Sequence, residues 1–140
     1  MLNVHAFMSS NPHTVEPQTT LRELLALMNT HGWRQVPVAR DGLLQGIVTD
    51  RDLRLAINSP VVVEETHLDR AELLEDLTVE SCMTRDPLTV SPDQPAHEAA
   101  DLMSVHKFGA LPVVEDGRLV GIITSDDFLR YFVRHPPEQQ

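Results

Sequence analysis

Apolar residues recur at helical spacing in two stretches of the chain, and polar or turn-forming residues flank both stretches. Intervals of three and four residues place side chains on one face of an α-helix. Thr19 or Thr20 precedes the first stretch, and these residue types begin helices. Ser91 or Asp93, ahead of Pro95, precedes the second. The sequence predicts two amphipathic helices with buried faces formed by Leu21, Leu24, Leu25 and Met28, and by Ala96, Ala99, Ala100 and Met103.

Short runs rich in Val, Ile and Thr separate these helices and predict strands. The predicted extended segments are 12–15, 35–39, 44–49, 87–90, 110–114 and 119–124. Asp41-Gly42 and Asp116-Gly117 join neighbouring runs, and Asp-Gly favours a tight hairpin. A further helix is predicted after each hairpin, so each half of the chain has the order strand, helix, strand, strand, helix.

The two halves are copies of one another. Residues 8–54 align with residues 83–129 at a constant offset of 75, and about eighteen of the forty-seven positions are identical. A unit of this size buries little apolar surface alone, so the copies are expected to fold as a pair. The predicted organisation is a first repeat at 1–57, a linker at 58–80 with a short helix near 69–77, a second repeat at 81–134 and a flexible tail at 135–140.

Composition narrows the function classes. The 140 residues are 41% hydrophobic and carry a formal net charge of −10, which argues against a nucleic-acid binder or an anionic-membrane binder. No apolar run is long enough to span a bilayer, and the N-terminus does not resemble a secretory signal. Cys82 is the single cysteine, so no internal disulfide can form. A cytoplasmic protein is predicted, and no arrangement of catalytic residues indicates an enzyme.

A strand that ends in threonine, followed three residues later by aspartate at a helix start, occurs in both copies. Thr49 precedes Asp52, and Thr124 precedes Asp127. A helix N-terminus favours phosphate, a threonine hydroxyl can donate to it, and an aspartate can accept ribose hydroxyls. Taken singly, the pattern is explained equally well by a capping box within the helix. Its occurrence in both copies favours a nucleotide site.

The complete pattern resembles the CBS domain of cystathionine β-synthase, which occurs in tandem as the Bateman module. The resemblance rests on segments 8–15 and 83–90, on Val36-Pro37-Val38 and Leu111-Pro112-Val113, and on segments 46–52 and 121–127. It covers nearly the whole chain and implies an α/β fold, with two repeats that each have a small three-stranded sheet and helices. It also implies packing by pseudo-twofold symmetry, a stand-alone pair of repeats, a homodimer and an unidentified downstream protein.

The resemblance further implies a ligand. CBS pairs sense adenosine-containing molecules such as AMP, ADP, ATP or S-adenosylmethionine in clefts between the two repeats, and whether Mg²⁺ accompanies a polyphosphate stays open. Asp52 and Asp127 would hold ribose hydroxyls, and Thr49 and Thr124 would reach phosphate. Thr14 and Thr89 would meet the adenine edge through the backbone. Arg34 would contact phosphate in the first cleft, whereas the second has Gly109 at that position and Lys107 as its nearest cation.

Two other functions stay open. The clefts could be degenerate, which would leave a dimerisation or scaffold module without a ligand. A third hypothesis is a redox or metal sensor that uses Cys82 and histidines, although the seven histidines show no ligand spacing. Trp33 and Phe108 are equivalent in the two copies and are predicted to fill core positions.

Overall fold

The computed structural model describes residues 2–59, 64–65 and 67–137. Part of the predicted linker (60–63 and 66) and the end of the predicted tail (138–140) lie outside the described residues. The chain forms two compact units. The central unit is His13–Asp86, and the terminal unit combines the residues up to Pro12 with those from Pro87 onward.

The described elements follow one another along the chain as α1 (Val4–Phe7), β1 (Ser9–Ser10), α2 (Leu21–His31), β2 (Gln35–Arg40), β3 (Leu43–Thr49), α3 (Asp50–Asn58), α4 (Arg70–Asp76), α5 (Val79–Cys82), β4 (Thr84–Arg85), α6 (Ala96–His106), β5 (Ala110–Glu115), β6 (Arg118–Thr124) and α7 (Ser125–Arg134). The longest helices among them, α2 and α6, have eleven residues each. Within the described ranges, no helix is long and apolar enough to cross a membrane.

The offset of 75 relates the elements as well as the residues. It carries α1 and β1 onto α5 and β4, and α2, β2 and β3 onto α6, β5 and β6. The helix near 69–77 is confirmed as α4, which begins after its N-cap Asp69. The short elements α1, α5, β1 and β4 were not predicted. Segments 12–15 and 87–90 pair with a sheet only through single residues, Val15 and Val90.

Each unit contains three antiparallel strands. In the central unit β3 lies between β4 and β2, and in the terminal unit β6 lies between β1 and β5. Val15 adds a parallel bridge to Val38 on β2, and Val90 adds the equivalent bridge to Val113 on β5. Both hairpins turn where predicted, at Asp-Gly pairs with φ of 53° and 79°, the left-handed values that such turns require.

Each unit is completed by a segment from the other half of the chain. The strand β4 follows the linker in sequence, yet it pairs with β3 in the central unit, and the N-terminal strand β1 pairs with β6. Glycines permit these close crossings. A Cβ at Gly46 would lie 2.5 Å from the Thr84 carbonyl oxygen, and one at Gly121 would lie 2.9 Å from the Ser9 carbonyl oxygen.

The predicted helix faces are buried. Leu21, Leu24 and Met28 enter the central core, whereas the equivalent helix of the terminal unit contributes Ala96, Ala99 and Met103. Leu25 and Ala100 are half-buried at the margins of these faces. The first core is therefore filled by larger helical side chains than the second.

The helix ends agree with the predictions except at the start of α6. Thr20 caps α2, since its hydroxyl accepts the N–H of Glu23, and Gly32 ends that helix with φ of 70°. The predicted cap at Ser91 or Asp93 is wrong, because α6 begins after Pro95, which offers no side-chain cap. The core position predicted for Phe108 is also wrong. Phe108 lies beyond the left-handed residue that ends α6 and is 46% exposed, whereas Trp33 packs against the central core.

Candidate functional site

The junction between β3 and α3 fixes two of the predicted site residues. Thr49 has extended backbone angles and caps the helix. Its Oγ1 accepts the backbone N–H of Asp52 at 3.0 Å, and the Oδ2 of Asp52 accepts the N–H of Thr49 at 2.9 Å. This reciprocal pair is a capping box, so both side chains are held at the N-terminal end of α3.

The junction between β6 and α7 repeats this geometry in the terminal unit. Thr124 caps α7, and its Oγ1 accepts the N–H of Asp127 at 3.3 Å. The Oδ2 of Asp127 accepts the N–H of Thr124 at 2.8 Å. The capping interpretation of the Thr and Asp pattern is therefore confirmed in both copies.

A capping role leaves binding capacity on both side chains. The threonine hydroxyl accepts in the cap but keeps its proton, which can be donated to an anion. One oxygen of Asp52 is occupied by the cap, and no other side chain in the described ranges forms a hydrogen bond with that carboxylate. The positive end of the helix dipole adds an attraction for negative charge at the same place. The two roles are compatible.

Arg34 is brought to the junction of the central unit. Its carbonyl accepts the N–H of Asp50, the first residue of α3, at 2.9 Å, and its side chain is exposed. The neighbouring residue Gln35 is paired with Thr49 across the hairpin. Arg34, Thr49 and Asp52 thus gather where one hairpin meets one helix.

The terminal unit lacks this cation. Gly109 takes the place of Arg34, and its carbonyl accepts the N–H of Ser125 at 3.0 Å. Lys107 is exposed and occupies the left-handed C-cap of α6, with φ of 60° and its N–H bonded to the carbonyl of Met103. Lys107 therefore matches Gly32 of the first copy and serves as a helix cap, two residues before the position of Arg34.

Thr14 and Thr89 lie one strand away from these junctions. Val15, next to Thr14, donates to the carbonyl of Pro37 and accepts from the N–H of Ala39, which attaches it to the edge of β2 opposite β3. Val90, next to Thr89, is attached to β5 in the same way. Both threonines are exposed.

The two aspartates differ in their partners. Arg130 lies 2.5 Å from the Oδ1 of Asp127 and 2.7 Å from the Oδ2 of Asp126. The residue equivalent to Arg130 in the first copy is Leu55, so Asp52 has no such ion pair. This difference was not predicted, although continuing the offset of 75 beyond residue 54 aligns Arg130 with Leu55.

Rings cluster beside Arg34. The ring of Trp33 lies 4.3 Å from His31 and 4.6 Å from His13, at small interplanar angles.

Within the described ranges, no group of three or more His, Cys, Asp or Glu side chains is arranged to hold a metal ion. The Cys82 thiol has its pKa raised to about 11 by burial and, to a lesser degree, by the charge of Asp52. Such a thiol is protonated and weakly nucleophilic at neutral pH.

Comparison with known proteins identifies the class. The family model for the CBS domain matches residues 4–59 and 79–134, and the chain belongs to this family, with two CBS domains. It is 41% identical over 133 residues to a CBS domain-containing protein of Dictyostelium discoideum, an alignment that covers 94% of this chain and 91% of that protein.

Two similar proteins have been solved with bound ligands. CBSX2, a CBS-pair protein from Arabidopsis thaliana, was solved in complex with AMP. Its TM-score is 0.82 at 30% identity, over 96% of this chain and 98% of that one. The CBS domain pair of protein MJ0100 was solved with 5′-methylthioadenosine and S-adenosyl-L-methionine. Its TM-score is 0.78 at 28% identity, again over 96% and 98% of the two chains.

Proposed function

We propose that this protein is a regulatory module that binds an adenosine-containing ligand at the strand-to-helix junctions of its two CBS domains. The observation that carries the proposal is the repeated junction, in which a threonine and an aspartate are fixed at a helix N-terminus. The AMP complex of CBSX2 and the S-adenosylmethionine complex of the MJ0100 pair support an adenosine ligand.

The junction of the central unit is proposed to bind a charged nucleotide. Thr49 donates its hydroxyl proton to phosphate, and Arg34 pairs with the same phosphate through its guanidinium. The carboxylate oxygen of Asp52 outside the capping box accepts from ribose hydroxyls. The backbone next to Thr14 meets the adenine edge. Arg34 makes this junction the better of the two for AMP, ADP or ATP.

The junction of the terminal unit is proposed to bind a ligand with less negative charge. Gly109 supplies no cation, and Lys107, the nearest cation in the sequence, is the C-cap of α6. Asp127 is already paired with Arg130, so a ribose would have to share that carboxylate. The terminal site, with Thr89, Thr124 and Asp127, therefore favours a molecule such as S-adenosylmethionine over a polyphosphate.

Regulation follows from linkage. A ligand shifts a conformational equilibrium only by its difference in affinity for the two conformations. The site is built at helix ends and at the rim of a sheet, where a bound ligand ties a helix to a hairpin. The downstream protein that would respond to this change is unidentified, and a cytoplasmic location stays a prediction.

Calorimetric titration of the nucleotide-stripped protein with AMP, ADP, ATP and S-adenosylmethionine, with and without Mg²⁺, tests the proposal. The double variant Arg34→Ala/Asp52→Asn should abolish AMP binding at the first site, and asparagine can still accept in the capping box. Asp127→Asn is the matched control in the other unit. Since Trp33 adjoins Arg34, its fluorescence gives a second measurement. Full AMP affinity in the double variant would refute the assignment.

A second candidate function is an interaction module without a ligand. The observation that favours it is the face of α7, where Leu129, Phe132 and Val133 are 63%, 65% and 81% exposed. Homodimer formation through such a face is a prediction that sedimentation velocity can test on the wild type and on Phe132→Ser. A dimer that binds none of the four adenosine ligands would favour this second function over the first.

A further inference from the structure

A cavity of about 420 Å³ lies in the central unit. It is lined by Asp52, Leu55, Ala56, Ser59, Leu77, Ser81 and Cys82. Pockets that hold small organic molecules have volumes of about 300 to 1,000 Å³ and combine apolar walls with a few polar groups. This cavity has both kinds of lining residue, since Leu55, Ala56 and Leu77 occur together with Asp52, two serines and Cys82.

The terminal unit fills the equivalent place with aromatic rings. The ring of Phe7 lies 5.1 Å from Phe128 and 4.8 Å from Tyr131. The offset of 75 carries these three residues onto Cys82, Leu53 and Ala56. The same offset matches the helices that bear these residues: α1 corresponds to α5, and α7 corresponds to α3. The cavity therefore arises from smaller side chains on an equivalent backbone.

The central unit lacks a positive charge at this place, in addition to lacking the aromatic rings. In the terminal unit Arg130 pairs with Asp127, whose side chain is 6% exposed. In the central unit Leu55 stands at that position, and the neighbouring Arg54 pairs with Asp50 instead. Among the described residues no cation forms an ion pair with Asp52, which is one of the residues that line the cavity. Its charge acts on Cys82, another lining residue.

We infer that this cavity is a binding site for a small organic cation with an apolar body, such as an arylalkylammonium or an amidinium. The cationic group pairs with Asp52, as Arg130 does with Asp127. The body occupies the volume that Phe7 and Tyr131 fill in the other unit, against Leu55, Ala56 and Leu77. Ser81, whose hydroxyl donates to the Thr78 carbonyl at 2.6 Å, retains lone pairs for an N–H of the ligand.

The site is separate from the proposed nucleotide site except at Asp52. Thr49 and Arg34 do not line the cavity, whereas Leu77, Ser81 and Cys82 do. A cation on Asp52 would neutralise the carboxylate proposed to accept ribose hydroxyls, so the two ligands should compete. This competition rests on the proposed function, but binding of the cation does not require a nucleotide site.

Benzamidine is the probe for the test, because it combines one aromatic ring with a delocalised cation. Nucleotide-stripped, ¹⁵N-labelled protein is titrated with benzamidine and, separately, with benzamide, which has the same shape without the charge. We expect saturable amide shifts at Ala56 and Cys82 with benzamidine, and at least tenfold weaker binding of benzamide. Equal responses to the two compounds, or none at these residues, would overturn the inference.

Two variants locate the site. Leu55→Arg restores the missing cation at a position that is 60% exposed, so folding is preserved and benzamidine affinity should fall at least tenfold. Val105→Arg adds the same charge at an exposed position on α6 of the terminal unit and should leave the affinity unchanged. Unaltered affinity in Leu55→Arg would refute the site.

AMP titrations of the same samples separate this inference from the proposed function. Benzamidine binding without AMP binding upholds the cavity site alone. AMP binding without benzamidine binding refutes the cavity site and leaves the nucleotide proposal standing.

Discussion

The central and terminal units have the same junction of hairpin and helix but differ in what surrounds its aspartate. Around Asp127 the terminal unit places Arg130 and a cluster formed by Phe7, Phe128 and Tyr131. Around Asp52 the central unit has no ion pair among the described residues and leaves a cavity. The capping box is common to both, so it maintains the fold, while the neighbours of the aspartate are free to diverge.

This difference leads us to expect different ligand preferences in the two copies. A carboxylate that is already paired with arginine, as Asp127 is, has its charge compensated within one helix. A carboxylate without such a partner attracts a cation or hydrogen-bond donors from outside. The central unit also has Arg34, so its junction offers a ligand both a cation and a carboxylate. Four predictions test this comparison, beginning with the largest effect.

Leu24→Ala should destabilise the protein by about 2–5 kcal/mol, because Leu24 is fully buried and its removal leaves a cavity. The equivalent residue is already Ala99, and Ala99→Gly should cost only about 1 kcal/mol. Urea denaturation measures both. Leu129→Ala, at an exposed site, is the control and should change stability little. A loss below 1 kcal/mol for Leu24→Ala would contradict the buried packing of α2.

Alkylation of Cys82 by iodoacetamide at pH 8 should be about a hundredfold slower in the native protein than in urea, because the pKa rises from 9.0 to about 11 and the thiolate is the nucleophile. Mass spectrometry follows the reaction, whose rate should rise with pH up to about 11. Asp52→Asn should accelerate it, since loss of the negative charge lowers that pKa.

The same shift links the thiol to stability. Folding raises the pKa, so the stabilising contribution of Cys82 is complete below about pH 9 and is lost as the pH rises towards 11. Native and unfolded protein that react equally fast at pH 8 would show that the thiol is not shielded.

Arg130→Leu should reduce stability by about 1–2 kcal/mol, because it leaves the nearly buried carboxylate of Asp127 without its cation. This is less than for a fully buried pair, since Arg130 is 52% exposed and partly screened. Arg54→Leu, which breaks the exposed pair with Asp50, is the matched control and should cost less than about 0.5 kcal/mol. Thermal unfolding distinguishes the two variants, and equal losses would contradict the special role of Arg130.

Gly109→Arg should raise the affinity of the terminal unit for AMP about tenfold, the gain expected from one charge-assisted contact with phosphate. The backbone tolerates the change, because Gly109 is not among the glycines in the left-handed region, which are Gly32, Gly42 and Gly117. Calorimetry on the Arg34→Ala background isolates this site. Gly109→Leu controls for the side-chain volume, and an equal effect of leucine would exclude an electrostatic cause.

Local patterns predicted local structure well. The spacing of Leu21, Leu24 and Met28 is the buried face of α2, both Asp-Gly turns are hairpins, and Asp69 caps the helix of the linker. The exceptions also have local causes. Pro95 offers no side chain to cap α6, and a left-handed residue after α6 turns Phe108 outward.

The assembly of the candidate site was partly predictable, and the roles of its residues stay predictions. Thr49, Asp52 and Arg34 meet because a hairpin brings residue 35 beside residue 49, a contact that the Asp-Gly turn implies. Lys107 was taken from nearness in sequence, whereas its place at a helix cap depends on the backbone of α6. The ion pair of Arg130 follows from helical spacing once the offset is extended.

The longer helices, the hairpins and the two capping boxes were predictable without coordinates, because each depends on residues within a few positions of one another. The repeat was evident from its constant offset of 75. The short elements α1, α5, β1 and β4 were not predictable in this way. The segments that complete each unit are known only from contacts in the folded chain, where β4 pairs with β3 and β1 pairs with β6. The same is true of the cavity beside Asp52, which is also lined by Leu77, Ser81 and Cys82. Contacts between segments far apart in the chain depend on the sum of many weak packing terms, which no local pattern records.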